Sequence, residues 1–195
     1  MRFNVSEITD IIRDRRTVVP ENFSDRKVHR ELVEMMIGNA VWAPTHGKTQ
    51  PWRFTVFQDN SLVRLGNKLA ELYKSETPEE IFSLSKFEKL NNRPAMASVV
   101  IAVHMERQAE ERIPEVEEVE AVACGVQNLL LTATAYGIGS FWSSPKLIYG
   151  QGFSEFLNIG PKDQCLGLIY LGYPKGEWPK GQRKPIEYVT QWLSE

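Results

Sequence analysis

Arg15, Arg16 and Thr17 set two guanidinium groups and a hydroxyl on three consecutive positions, just past a helical run. Such a set can grip a phosphate or the polar edge of a ring, because a guanidinium offers an oxyanion a rigid fork of donors. Two arginines closing a helix would also complement its dipole. A second concentration runs from Trp42 to Phe54, WAPTHGKTQPWRF. Pro44 and Pro51 stiffen it, Gly47 permits an unusual backbone angle, and Thr45, His46, Lys48, Thr49 and Gln50 crowd polar groups into a short span. That density suits a ligand, and it equally suits an ordered connection whose tryptophans pack. In the third segment Gln127 and Asn128 interrupt an apolar helix, and GIGSFWSS follows from Gly137 to Ser144. Small residues there would let a flat group approach the backbone. The fourth, Lys175 to Lys184 (KGEWPKGQRK), is a basic loop that matters for chemistry only if the fold brings it to Arg15.

Several functions are set aside by what surrounds these segments. The 195 residues carry 23 Lys and Arg against 25 Asp and Glu, a formal charge of -2, and the two signs interleave along the chain. No basic stripe is expected, hence no nucleic-acid partner. GxGxxG and GxxxxGK[ST] are absent, so a nucleotide-type cofactor would have to be held without a Rossmann or P-loop turn. Cys124 and Cys165 lie in apolar segments without paired spacing and read as buried free thiols; with three scattered histidines, no metal site is expected. No apolar run approaches the roughly 18 residues of a membrane span, and the N-terminus lacks a signal-peptide core. The expectation is a cytoplasmic protein of one domain over residues 1–195, with no membrane partner.

The elements that must position the four segments follow from apolar periodicity. A first helix, capped by Ser6, carries Ile8, Ile11 and Ile12 and ends near Arg15. Arg16 to Phe23 reads as a connecting loop. A second helix, starting after Ser24 or Asp25, carries Val28, Leu32, Met35, Met36 and Ala40 and stops before Pro44. WRFTVF, Trp52 to Phe57, is a strand. Leu62 to Tyr73 mark a third helix, Ser75 to Pro78 a turn, and Ile81 to Leu90 a fourth helix. The apolar run Ala97 to Met105 predicts a central strand buried on both faces. Pro114 suits the first turn of a long helix with an acidic start and a broad apolar face that includes Val116; Gly137 is its stop. A short strand at Ser140 to Ser143, a brief helix at Phe153 to Leu157, a strand at Cys165 to Leu171 and an irregular tail complete the reading.

In order and register, Arg15-Arg16-Thr17, Ala43-Pro44-Thr45, Gln50-Pro51-Trp52-Arg53-Phe54, Gln127 to Leu131 and Gly137 to Trp142 resemble the nitroreductase family of flavin enzymes across nearly the whole chain. The resemblance implies an α+β fold, a mainly antiparallel central sheet flanked by helices, in an intertwined homodimer with two FMN sites at the interface. Arg15 would bind the phosphate, helped by Arg183 or Lys184, while Arg16 and Thr17 would reach the ribityl chain or the pyrimidine edge. The Pro44 to Lys48 loop, with Trp42 beside it, would come from the partner subunit, Thr45 and His46 closest to the cofactor. Phe141, Trp142 and Ser143 would line the ring. Thr17 replaces the commoner Ser and keeps the hydroxyl. Lys48 stands where many members have Asn, and a cation there would favour anionic reduced flavin. The implied chemistry is ping-pong: NADH or NADPH reduces the flavin, which then reduces a nitroaromatic, quinone or similar acceptor, with no protein general acid assigned. Two alternatives stay open: a relative reducing an enone, a halogenated aromatic or a flavin, and a flavin-binding or sensing protein without turnover. Residues 72–94 match no motif and fall where such enzymes often shape the substrate pocket.

Overall fold

The computed structural model describes residues 4–194. A four-stranded antiparallel sheet forms its centre, made of β1 (Trp52–Phe57), β2 (Val99–Met105), β3 (Gly139–Ser143) and β4 (Gln164–Gly172), in the order β1-β2-β4-β3. Every residue of β2 is buried, His104 included, in keeping with a nearly continuous apolar run. Alternation along β2 sends Val99, Ile101, Val103 and Met105 to one core and Val100 and Ala102 to the other. The first core is closed by α2 (Arg30–Ala40) and the long α5 (Glu115–Ala135), the second by α3 (Asn60–Glu76) and α6 (Gln151–Leu157). The remaining helices are α4 (Leu84–Asn92), packed on α3, and α1 (Val5–Asp14), packed on α5. The result is the α+β arrangement expected, and no described helix is long and apolar enough to cross a membrane.

Where boundaries moved, a competing bond explains the shift. Asn4, not Ser6, caps α1: its side-chain oxygen accepts from the Ser6 N–H at 3.1 Å. The second helix begins at Arg30, later than the periodicity indicates. Upstream, Ser24 N–H donates to the Tyr173 carbonyl at 2.7 Å and Val28 N–H to Ser98 Oγ at 2.7 Å, which holds the backbone extended. Arg16 to Phe23 is more than a connection, since Thr17 forms a parallel bridge with Ser140 and Phe23 an antiparallel one with Pro174. The fourth helix starts at Leu84, where Ser83 Oγ accepts from Lys86 N–H, and Ile81 ends a separate 3-10 turn. Pro114 is the cap of α5 rather than part of its first turn, and Val116 faces outward, 59% exposed.

Two surfaces are apolar without cover from the rest of the described chain. α1 buries none of its residues, and Val5, Ile8 and Ile12 are each at least half exposed. It borders an apolar groove of about 360 Å³ shared with Met35 and Tyr136. At the other end of the chain, residues 181–194 are all exposed, and Ile186, Tyr188, Val189, Trp192 and Leu193 lie among them. Cys124 is also exposed, against expectation; Cys165 is buried, and burial pushes its thiol up to about 11.

Candidate functional site

The end of α1, β3 and α5 enclose a cleft of about 260 Å³. Arg15 leaves the helix with extended backbone angles, and the strand-like path continues through Thr17, whose neighbour Val18 donates its N–H to the Ser140 carbonyl at 2.9 Å. That short parallel pairing aims Arg15 and Thr17 into the cleft beside Ser140 and Trp142, which share a face of β3. The facing wall is α5, where Ala123, Gln127 and Leu130 recur at helical spacing. Gln127 is exposed on that wall.

The basic tail does return to α1. Trp178 donates its indole N–H to the Asp14 carbonyl at 2.6 Å, tying the tail to the helix end. Gly181 then passes close to Arg16: a Cβ there would lie 2.6 Å from the guanidinium carbon, so a larger residue would push the Arg16 side chain aside. Arg16 turns back on the helix terminus, donating from Nη1 to the Arg13 carbonyl at 2.5 Å and to the Arg15 carbonyl at 2.8 Å, while its Nε is buried without a partner. Burial, then the nearby charges of Arg183 and Arg16, lower the Arg15 pKa from its usual value. Among the described residues no carboxylate lies within ion-pair distance of Arg15, Arg16 or Arg183. Lys184 is exposed beside Arg183 and enters no such contact.

Strand alternation divides the FWS segment. Trp142 faces the cleft, whereas Phe141 turns to the opposite face of the sheet, its ring 5.8 Å from that of Tyr170 and with the Arg93 guanidinium 4.6 Å above it. Ser143 shares the Phe141 face of β3. Neither lines this cleft; alternation separates both from Trp142, but which face of β3 borders the cleft is set by the fold.

The loop after α2 stands apart from this cleft. Trp42 is 85% exposed and Pro44, His46 and Lys48 are exposed too. Thr45 Oγ1 lies 3.2 Å from Thr49 Oγ1 and accepts from Gln50 N–H at 3.2 Å, while His46 Nδ1 meets Glu117 Oε2 at 2.6 Å near the start of α5. Lys48 and Gln50 hold positive φ, +57° and +48°, in addition to Gly47 at +59°. Non-glycine residues adopt that region only at a cost, which marks the loop as over-determined by its surroundings. None of its hydrogen bonds reaches Arg15, Thr17 or β3.

Sequence reasoning assigned no role to Ser140, Gln127 or Trp178. Gln127 carried a signal, a polar residue breaking an apolar stripe, and Trp178 another, an aromatic inside a basic Gly- and Pro-rich tail. No group of three or more potential metal ligands occurs among the described residues.

A family model described as the nitroreductase family matches residues 12–173. Among curated proteins the chain is similar to YfhC of Bacillus subtilis, whose name places it with the NAD(P)H nitroreductases. The two are 28% identical over 182 residues, covering 93% of this chain and 91% of that one. Among solved structures, a nitroreductase-like family protein from Bacillus cereus is 25% identical, with full coverage of both chains and a TM-score of 0.81. The FMN-dependent nitroreductase NfnB from Mycobacterium smegmatis, solved in complex with NADPH, shares the fold at 19% identity, with 97% and 99% coverage and a TM-score of 0.75.

Proposed function

The chain belongs to the nitroreductase family, and on that premise we propose that it is an FMN-dependent oxidoreductase that works as a homodimer, with NADH or NADPH as donor. The observation carrying this reading is the meeting of Arg15, Arg16 and Arg183 at one end of the cleft without a carboxylate to neutralise them. Their mutual repulsion is relieved by a dianion, and a phosphate monoester supplies one together with acceptor oxygens for guanidinium forks. The donor set therefore fits FMN.

When bound, FMN supplies the hydride chemistry between nicotinamide and acceptor. The chain's own tasks are binding, orientation and exclusion of water. In our reading Arg15 and Arg183 hold the phosphate, with Lys184 as the outer cation. Arg16, half committed to the helix end, and the Thr17 hydroxyl face the ribityl chain or the pyrimidine edge. Gln127 and Ser140 add polar groups to the walls, and Trp142 closes the side opposite Arg15. Phe141 and Ser143 support β3 from behind rather than touching the ring. Trp42, Pro44, Thr45, His46 and Lys48 serve the partner's cofactor, which agrees with a rigid, exposed loop that does not reach its own cleft. A nitroaromatic or quinone-like molecule is the acceptor we infer. A cytoplasmic home completes the proposal, and the exposed thiol of Cys124 is compatible with a reducing compartment.

The uncovered apolar faces of α1 and the tail support the homodimer. A chain ending at Pro185 keeps Arg183 and Lys184 but loses Ile186, Tyr188, Val189, Trp192 and Leu193. Its dimer dissociation constant, from sedimentation equilibrium, is expected to rise by roughly 100-fold or more, because each such side chain contributes about 1.5–3 kcal/mol when fully buried. An unchanged constant would remove the tail from the interface. For the activity, repeated turnover of NADH or NADPH with a nitroaromatic or a quinone is expected. A single reduction without cycling would leave a flavin binder instead.

A further inference from the structure

Between Val103 and His104 the pairing of β2 with β4 slips: Val103 lies opposite Gly167 and His104 opposite Cys165, leaving Leu166 as an extra residue. β3 pairs with β4 only as far as Ser143 opposite Leu168. Beyond that point the Leu166 carbonyl accepts the indole N–H of Trp142 at 3.1 Å. Next to it, Gly167 holds φ at +157°, and a Cβ there would lie 2.5 Å from Trp142 Cδ1 and 3.2 Å from Cε2, with Nε1 nearer still. The pyrrole edge of the indole thus rests on bare backbone, and the rest of the ring, 39% exposed as a residue, borders the cleft.

We propose that Gly167 is a positioning residue for the cofactor cleft: its missing side chain, together with the bulged Leu166 carbonyl, seats the Trp142 indole against the sheet and keeps the cleft open. Any side chain at 167 must displace the ring away from the backbone it rests on, and the space beside the ring is the cleft and solvent. In a cleft of about 260 Å³ a displaced indole competes directly with a bound ring. The proposal rests on reading this cleft as the FMN site, but the seat itself can be tested without the cofactor.

Four variants separate the possibilities: Gly167→Ala, Trp142→Phe, Trp142→Leu and the double variant Trp142→Leu/Gly167→Ala. The Trp142 indole N–H resonance, assigned by its disappearance in Trp142→Phe, is expected to shift in Gly167→Ala and to exchange faster with solvent. FMN affinity, read by quenching of flavin fluorescence, is expected to fall about tenfold or more in Gly167→Ala, as overpacking against a ring typically produces. In the Trp142→Leu background the same substitution is expected to change affinity by no more than about twofold, because the group it would clash with has gone. If Gly167→Ala alone fails to fold while the double variant folds, the seat is supported. An unmoved resonance with unchanged affinity overturns the proposal, as does an equal loss in both backgrounds or failure of both 167 variants to fold. A wild-type protein that takes up no FMN would sink the cofactor reading alone, and the Trp142 resonance would still decide the role of Gly167.

Discussion

Arg15→Ala is expected to weaken FMN binding by about 1.5–3 kcal/mol, roughly a ten- to hundredfold rise in Kd, the usual worth of a hydrogen bond to a charged group. Among the basic residues at this end of the cleft, Arg15 is placed to lose most. It lines the cleft, whereas Arg16 spends Nη1 on two carbonyls of the helix end and Lys184 stands outside. Arg183→Ala is expected to cost less, since Arg183 is exposed, and Lys184→Ala less again. Loss of FMN affinity should come without loss of apo-protein stability. Burial and the neighbouring guanidiniums already penalise the charge on Arg15, and its removal leaves no carboxylate stranded. Titration of FMN into apo protein, with urea melts of the same samples, checks both parts. Unchanged affinity would refute the phosphate assignment, and a parallel collapse of stability would make Arg15 a structural residue.

Arg107→Met is expected to destabilise the fold by about 3–5 kcal/mol, because it strands a carboxylate in the interior. Arg107, whose side chain is 9% exposed, pairs through Nη1 with Glu118, 1% exposed in the first turns of α5, and its backbone N–H donates to Asp163 Oδ1 at 2.9 Å. The pair fixes the start of the helix that walls the cleft to the end of β2. Glu118 Oε1 already lacks a hydrogen-bond partner, and among the described residues Arg107 is the one cation paired with this carboxylate. The double variant Arg107→Met/Glu118→Leu, which removes both charges, is expected to recover most of the loss in the same urea melts. If the single variant unfolds at the wild-type midpoint, the pair contributes nothing to holding α5.

Local and periodic features were legible in advance. The run around Ile101 and Val103 read as a strand buried on both faces from its length and composition, and the acidic start and apolar stripe of α5 located that helix closely. The start of α2 was not legible, since Ser24 and Val28 surrender their N–H groups to Tyr173 and Ser98, residues far away in the chain. The site divides along the same line. Arg15 and Thr17 stood out by residue type, and Trp142 by its place in a motif. Phe141 and Ser143 lie on the face of β3 away from this chain's cleft, because a strand sends alternate residues to opposite faces and only the fold says which face borders the cleft. Gly181, Trp178 and Gly167 matter through approaches between segments remote in sequence; Trp178 stands out as an aromatic in a basic tail, but no local pattern names the partner of any of the three.

The central claim, that this cleft takes FMN and puts it to redox use, is tested most directly by a visible spectrum of the purified protein after incubation with FMN and gel filtration, recorded before and after addition of NADPH and again with NADH. A yellow protein whose oxidised-flavin band bleaches with at least one of the two nucleotides is the expected result. A protein that emerges colourless, or a bound flavin that neither nucleotide reduces, would contradict it.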